Sequence, residues 1–349
     1  MKIAWSVLST LIIVAIWLPL SHSDWWYVRM FDFPRLQLLF LVGLLAAWGL
    51  WRYRQTPAGR IWLVALLIST GFLVTRILPY TPLYPKEMLS ATSTDPTRRV
   101  RLYNVNVLQD NRDYAATLAQ VRAHDPDIVS LLETDRDWVK AVEGLRTEYP
   151  YYHEVPYPNF YGLAVYSRLP WRDVRVHELV DDSIPSLYAT VQLPSGDEFD
   201  LYVIHPTPPS PTENVKSTER DAELLMVADT VKRRNRPAIV MGDLNDVAWS
   251  HSSRLFKRMS GLLDPRIGRG AYNTFITNNV LLRWPLDYIF PSDEFTLHRI
   301  ERLPDVGSDH FPILAELQFQ PEKEDEQEGD DPEGDDVRDA AKQKAKVNE

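Results

Sequence analysis

From Ile3 to Ser23 no residue carries a formal charge, counting His as neutral. At about 1.5 Å of rise per residue, a helix of that length reaches roughly 30 Å, the thickness of a bilayer's hydrocarbon core. Two further uncharged stretches rich in Leu, Val, Ile and Ala follow, and Trp5, Trp17, Trp25, Trp26, Trp51 and Trp62 lie near the ends of the three like an aromatic belt. The pattern predicts about three transmembrane helices, over residues 3–23, 36–51 and 61–78, within a membrane region spanning residues 1–79. The second and third are short for a span, so Arg35, Arg52 and Arg76 are expected to snorkel to the interfaces. Buried helices of a soluble domain are the weaker alternative, because three such segments occur in series.

Lys and Arg in short loops favour the cytoplasmic side. Arg52, Arg54 and Arg60 sit together between the second and third stretches. This predicts a multi-pass protein of the cytoplasmic (inner) membrane with everything after about residue 80 on the extracytoplasmic side. Ser21-His22-Ser23 also resembles the small-x-small site of a signal peptide, and cleavage there would leave two spans and the same exterior location.

Charge divides the 349 residues further. Residues 1–95 carry 8 Lys/Arg against 4 Asp/Glu, residues 96–320 carry 25 against 32, and residues 321–349 carry 5 against 12. The last part lacks aromatic residues and has Val337 and Val347 as its only branched aliphatics, so composition predicts a disordered acidic tail over residues 321–349. Pro79, Pro82 and Pro85 and the Ser/Thr-rich run from Ser90 to Thr97 predict a linker over residues 80–97. There is no cysteine, which excludes disulfides, thiolate metal sites and a cysteine nucleophile. With only 14 Gly the sequence argues against Gly-rich dinucleotide cradles, and no GxxxxGK[ST] is present.

Residues 98–320 read as one catalytic domain. Apolar, β-rich runs recur at Val100–Leu108, Asp127–Leu132, Leu163–Tyr166, Tyr188–Leu193, Phe199–His205, Ala238–Met241, Leu286–Phe290 and Ile313–Phe319. Helical spacing appears at Asp113–Ala123 and Thr212–Asn235, with Thr212 as the expected N-cap. Strands and helices are mixed without a regular βαβ period, which predicts an α/β fold of four layers, two packed mixed β-sheets flanked by helices, after the N-terminal bundle.

Polar residues fall at the strand ends. Asn106, Glu133, His205, Asp243, Asn245, Asp287, Asp309 and His310 each stand in, at or just beyond one. Singly, each has a bland explanation as a turn residue, a cap or a satisfied core histidine. Together, VRLYNVNVLQDN, PDIVSLLE, YGLAVYSR, the strand ending at His205, IVMGDLN, LDYIF and SDHFP resemble, in order, the motifs of the endonuclease/exonuclease/phosphatase superfamily, whose fold is that of pancreatic deoxyribonuclease. Asn104 is an off-register rival to Asn106, and Leu132 stands where that family more often has Gln.

The resemblance implies a metal-dependent hydrolase of phosphate ester bonds, a nuclease or a phosphatase. It implies Mg²⁺ or Mn²⁺ held by Glu133 with Asn106 and Asp309, hard oxygen donors for a hard cation. It assigns Asp243 to orient and deprotonate the attacking water, and Asn245 to hold phosphoryl oxygens. His310 becomes the imidazolium or acid-base partner, Asp287 its orienting carboxylate and His205 a second donor to phosphate. Zinc is disfavoured, since neither HxH nor HExxH is present. A nuclease meets a polyanion, yet the domain is net acidic, so a lipid headgroup or small-molecule ester stays open beside nucleic acid as substrate. A non-catalytic membrane binding module would be signalled by a lost metal ligand, and none is missing; no protein partner is inferable.

Overall fold

The computed structural model describes residues 2–348, so the outermost residues of the expected membrane region and tail, Met1 and Glu349, lie outside the described residues. In chain order the elements are α1 (Lys2–Trp17), α2 (Trp26–Arg29), α3 (Arg35–Arg52), α4 (Pro57–Ile77), β1 (Arg99–Asn106), α5 (Tyr114–His124), β2 (Ile128–Leu132), α6 (Arg136–Ala141), α7 (Leu145–Glu148), β3 (Tyr151–Val155), β4 (Leu163–Ser167), β5 (Trp171–His177), β6 (Ser186–Gln192), β7 (Glu198–Ile204), α8 (Thr218–Arg234), β8 (Ala238–Asp243), α9 (His251–Ser260), β9 (Asp287–Pro291), β10 (Phe295–Arg302), β11 (Ile313–Phe319) and α10 (Asp336–Ala345).

The strands form a six-stranded sheet, β10-β11-β1-β2-β4-β3, and a five-stranded sheet, β5-β6-β7-β8-β9, both mixed. Strand alternation sorts their side chains. Val100 and Leu102 of β1, Leu201 and Val203 of β7, Ile239 and Met241 of β8 and Ile289 of β9 meet in one core between the sheets. The opposite faces are covered by α5 to α7, through Tyr103, Val105, Trp138 and Leu145, and by α8 and α9, through Val240, Tyr288, Leu224 and Phe256. These are the four expected layers. All eight expected strands are present; β3, β5 and β10 are additional.

Among the described residues, three helices are long and apolar enough to cross a membrane: Ile3–Ser21, Arg35–Arg52 and Pro57–Tyr80. They form a bundle around Trp5, Val42, Leu66 and Leu73. Its first connection docks on the α/β domain. The Trp26 N–H donates to Val215 O at 2.9 Å, the Ser217 N–H donates to Asp24 O at 2.7 Å, and Arg29 pairs with Asp221 at 2.8 Å.

Four expectations need correction. Arg35 does not snorkel; it is buried, with Asp32 accepting from its guanidinium at 2.5 Å. Helix α8 starts at Thr218 after an N-cap at Ser217, not at Thr212, because the proline-rich run through Pro211 and the Pro209–Asn214 bridge hold the preceding chain in a loop. Residues 80–97 do not act as a loose linker: Tyr80 and Met88 are buried and Ser90 bridges to Leu297. The acidic tail is structured. Arg258 holds Asp336 at 2.6 and 2.9 Å, Gln327 donates to Asp293 O and Phe295 O, and Ala340 of α10 packs against Leu225 and Leu255. Charge-assisted hydrogen bonds supply what the missing apolar area does not.

Candidate active site

The period of two that builds the inter-sheet core also builds the site. Asn104 and Asn106 lie on the same face of β1 as Val100 and Leu102. His205 continues the face of Leu201 and Val203, Asp243 that of Ile239 and Met241, and Asp287 that of Ile289. At one end of the sandwich the core thus turns polar. Asn104, Asn106, His205, Asp243, Asp287 and His310 are buried, while Glu133, Asn245 and Asp309 are partly exposed at the rim.

Glu133 breaks the alternation. Leu132 faces the core, so a continued strand would turn Glu133 away from it. Its backbone instead has φ 63°, a left-handed conformation that few non-glycine residues adopt, and the carboxylate meets Asn106. Asn245 is likewise left-handed at φ 50°. Gly242, at φ 146°, lets β8 close on β7: a Cβ there would meet Ile204 O at 1.9 Å.

Asp243 is the centre. Its Oδ2 lies 3.2 Å from Asn106 Nδ2, 3.5 Å from His310 Nε2 and 3.7 Å from His205 Nε2, while its Oδ1 accepts from the Asn245 N–H at 2.9 Å. Asn106 Nδ2 also donates to Glu133 Oε1 at 2.6 Å, and the Gln109 N–H donates to Glu133 Oε2 at 3.3 Å. His310 Nδ1 donates to Asp287 Oδ2 at 2.8 Å.

Electrostatics separates the groups. Burial alone would lower the His310 pKa, but Asp287 and Asp243 outweigh it and push it up to about 10, so the ring is an imidazolium at neutral pH. His205 goes the other way, pushed down to about 4 by burial and by His310 against the pull of Asp243. It is therefore neutral, and its buried Nδ1 has no partner among the described residues. Burial raises Asp243, and burial with Asp309 nearby pushes Glu133 up to about 7.

The tightest group of metal-capable side chains among the described residues is Asp243, Asp287 and His310. It differs from the expected set of Asn106, Glu133 and Asp309. Asp309 makes no hydrogen bond to Glu133 or Asn106; its carboxylate accepts from Ser308 Oγ at 3.4 Å.

Several supporting residues escaped the sequence reading. Asn104, set aside as off-register, donates to Asp287 Oδ1 at 3.3 Å. Ser308 Oγ donates to Asn106 O at 2.7 Å and accepts from the His310 N–H, joining β1 to the SDH segment in which it was already visible. Thr274 Oγ1 accepts from the Asp287 N–H, and Arg220 donates to Asn245 O at 2.7 Å. No local pattern marks those two.

A family model described as the Endonuclease/Exonuclease/phosphatase family matches residues 102–310, from β1 to the histidine paired with Asp287. The chain belongs to the endonuclease/exonuclease/phosphatase family. The enzyme is accordingly a hydrolase of phosphate ester bonds. Solved structures with this fold include D. rerio TDP2 humanized by 14 mutations, at 19% identity and TM-score 0.52, covering 63% of this chain and 99% of that one. They also include the human Nocturnin catalytic domain with bound sulfate, at 18% identity and TM-score 0.52, covering 64% and 95%. An endonuclease/exonuclease/phosphatase from Beutenbergia cavernae has 19% identity and TM-score 0.53, covering 64% and 72%. No curated protein matches by sequence. The match leaves out α10 and the three apolar helices that are candidate spans.

Proposed function

We propose that the protein is a membrane-anchored, divalent-metal-dependent phosphoesterase that hydrolyses a phosphodiester or phosphomonoester at the end of its β-sandwich on the extracytoplasmic side. The observation that carries this reading is the convergence of Asn106, His205 and His310 on one oxygen of Asp243.

A hard cation fits the residues. Glu133 accepts hydrogen bonds from Asn106 and Gln109, and desolvation with Asp309 nearby pushes its pKa up to about 7, so a cation beside it would stabilise the ionised carboxylate. Glu133, with Asn106 and Asp309 beside it, would hold the ion. His310 is engaged through Nδ1 by Asp287 and faces Asp243 through Nε2, which suits the Asp243-Asp287-His310 group to acid-base work. When bound, Mg²⁺ or Mn²⁺ neutralises phosphoryl charge and makes a water more acidic.

The chain's own residues do the rest. Asp243, whose burial strengthens it as a base, takes the proton of the attacking water. As the water oxygen bonds to phosphorus, the bond to the leaving oxygen breaks. His310 donates to the developing oxyanion or the leaving oxygen, and Asp287 holds it through Nδ1. His205, uncharged, offers an Nε2–H to a phosphoryl oxygen. Asn245 is fixed at the rim by donation to Pro206 O at 2.9 Å and holds the substrate beside Asp243.

Anchoring is supported by the docked loop. The segment between α1 and α3 binds the catalytic domain, whereas Arg52, Arg54 and Arg60 gather at the other end of the bundle, as in a cytoplasmic loop. Helix α1 is built into that bundle: Trp5 Nε1 donates to Leu45 O at 3.1 Å and Trp17 Nε1 to Ser69 Oγ at 2.9 Å. This favours a retained first span over a cleaved signal peptide. Metal-dependent release of p-nitrophenol from soluble phosphate esters tests the activity.

A further inference from the structure

Outside the three apolar helices, the longest run of exposed large apolar side chains among the described residues is Val280, Leu281 and Leu282, at 77%, 79% and 43% exposure. They form the tip of the loop leading from α9 to β9. The tip is a made turn: Asn279 Oδ1 accepts from the Leu281 N–H at 3.0 Å and the Leu282 N–H at 3.2 Å. Soluble surfaces seldom display three adjacent aliphatic side chains on a fixed turn.

One side of this loop meets the membrane helices. Gln37 Nε2, in the first turn of α3, donates to Leu281 O at 2.6 Å. Leu36 and Phe40, beside Gln37 on α3, are exposed apolar residues of a candidate span. The tip therefore stands at the depth where α3 leaves the domain, and it continues the apolar surface of that helix.

The other side of the loop meets the active site. The Thr277 N–H donates to Asp309 O at 3.0 Å, and Thr277 Oγ1 donates to Ser308 O at 2.7 Å. Aromatic rings connect the two sides. Phe33, just before α3, packs edge-on against Trp284 at 5.6 Å; Trp284 stacks with Phe275 at 6.3 Å; and Phe275 lies 4.8 Å from the His310 ring. The catalytic histidine is thus three ring contacts from the start of a membrane span.

We propose that Val280–Leu282 sits in the bilayer interface and that the site takes a phosphate ester carried on a lipid headgroup rather than a nucleic acid. This rests on the phosphoesterase reading above and names its substrate class. An interfacial loop fixed to both α3 and the SDH segment holds the site mouth at headgroup level. A lipid phosphate brings one or two charges, whereas a nucleic acid brings many to a domain with 32 acidic and 25 basic residues.

The chain has no cysteine, so a single introduced one gives a clean probe. The full chain carrying Leu281→Cys, or Val337→Cys on α10 as an aqueous reference, is spin-labelled and reconstituted in vesicles of phosphatidylethanolamine, phosphatidylglycerol and phosphatidic acid. The label at 281 is expected to collide more with oxygen than with a hydrophilic nickel chelate, and the label at 337 the reverse. In parallel, Val280→Asp/Leu281→Asp is expected to hydrolyse the vesicle lipids at least tenfold more slowly than wild type, while its rate on soluble bis(p-nitrophenyl) phosphate stays within twofold. A label at 281 that reads aqueous overturns the proposal, as does an equal loss on both substrates or cleavage of single-stranded DNA with the lipids untouched. If the wild type hydrolyses none of these esters, the phosphoesterase reading itself fails and the substrate class with it, while the label still reports where the loop lies.

Discussion

Asp287 Oδ2 accepts the Nδ1 proton of His310 at 2.8 Å, and this contact with Asp243 on the opposite side keeps a fully buried imidazole charged. The folded-state pKa, about 10, lies above the ordinary 6.5, so the pairing stabilises the fold in full below about 6.5 and is lost as pH rises through about 10. Asp287→Asn is expected to move the alkaline limb of kcat down by one pH unit or more and to lower kcat by roughly 10- to 100-fold at pH 8. A pH profile of the variant with an unshifted alkaline limb contradicts the assigned role.

Glu133 predicts a metal effect with a defined sign. Burial raises its pKa from 4.5 to about 7, so in the metal-free protein its ionisation costs stability as pH rises across that window. A divalent ion needs the ionised carboxylate and competes with the proton. Mg²⁺ or Mn²⁺ should therefore raise Tm more at pH 8 than at pH 5.5, and Glu133→Gln should abolish the difference. Thermal melts across a metal titration measure it.

Gly242→Ala tests the closure of β8 on β7. The added Cβ meets Ile204 O at 1.9 Å and the backbone is held at φ 146°. Strain of that kind costs on the order of 1–3 kcal/mol, with the steric overlap added to it. The variant should melt several degrees lower and lose activity, because Asp243 is the next residue. An unchanged Tm is the opposing result.

The C-terminal segment is expected to support stability rather than chemistry. Truncation after Gln320 removes Asp336 from Arg258, a charge-assisted and largely buried contact worth about 1.5–3 kcal/mol, and the more exposed Lys346 from Asp24, which solvent screens. Tm should fall while kcat on a soluble ester stays within twofold. A tenfold loss of kcat would place the segment in the site.

Fusions after Gln320 address orientation. A phosphatase reporter should be active and a cytoplasmic fluorescent reporter dark; the reverse pattern contradicts the extracytoplasmic placement.

Much of the site was legible because strand alternation is local. Asn106, His205, Asp243 and Asp287 each continue an apolar face that the sequence itself displays. Glu133 was readable as a residue but not as a direction, since its turn toward Asn106 depends on a positive φ that no propensity announces. The strands that escaped notice, β3, β5 and β10, lie at or near sheet edges, where half-exposed side chains such as Arg172, Arg175 and Arg299 blur the alternation. Arg29 with Asp221, Trp26 with Val215 and Arg258 with Asp336 are pairings between distant segments. Composition therefore took a docked loop for a plain connection and a packed tail for disorder.

On the proposed mechanism, Asp243 acts with Asn106, His205 and His310 to hydrolyse a phosphate ester. The most direct measurement is hydrolysis of bis(p-nitrophenyl) phosphate and p-nitrophenyl phosphate by the full chain across a Mg²⁺ and Mn²⁺ titration, for wild type, Asp243→Asn and His310→Ala. The expected result is metal-dependent turnover by wild type and losses on the order of 10² to 10⁴ in kcat for both variants, unrecovered by excess metal and with cooperative melts retained. Variants as fast as the wild type would contradict it.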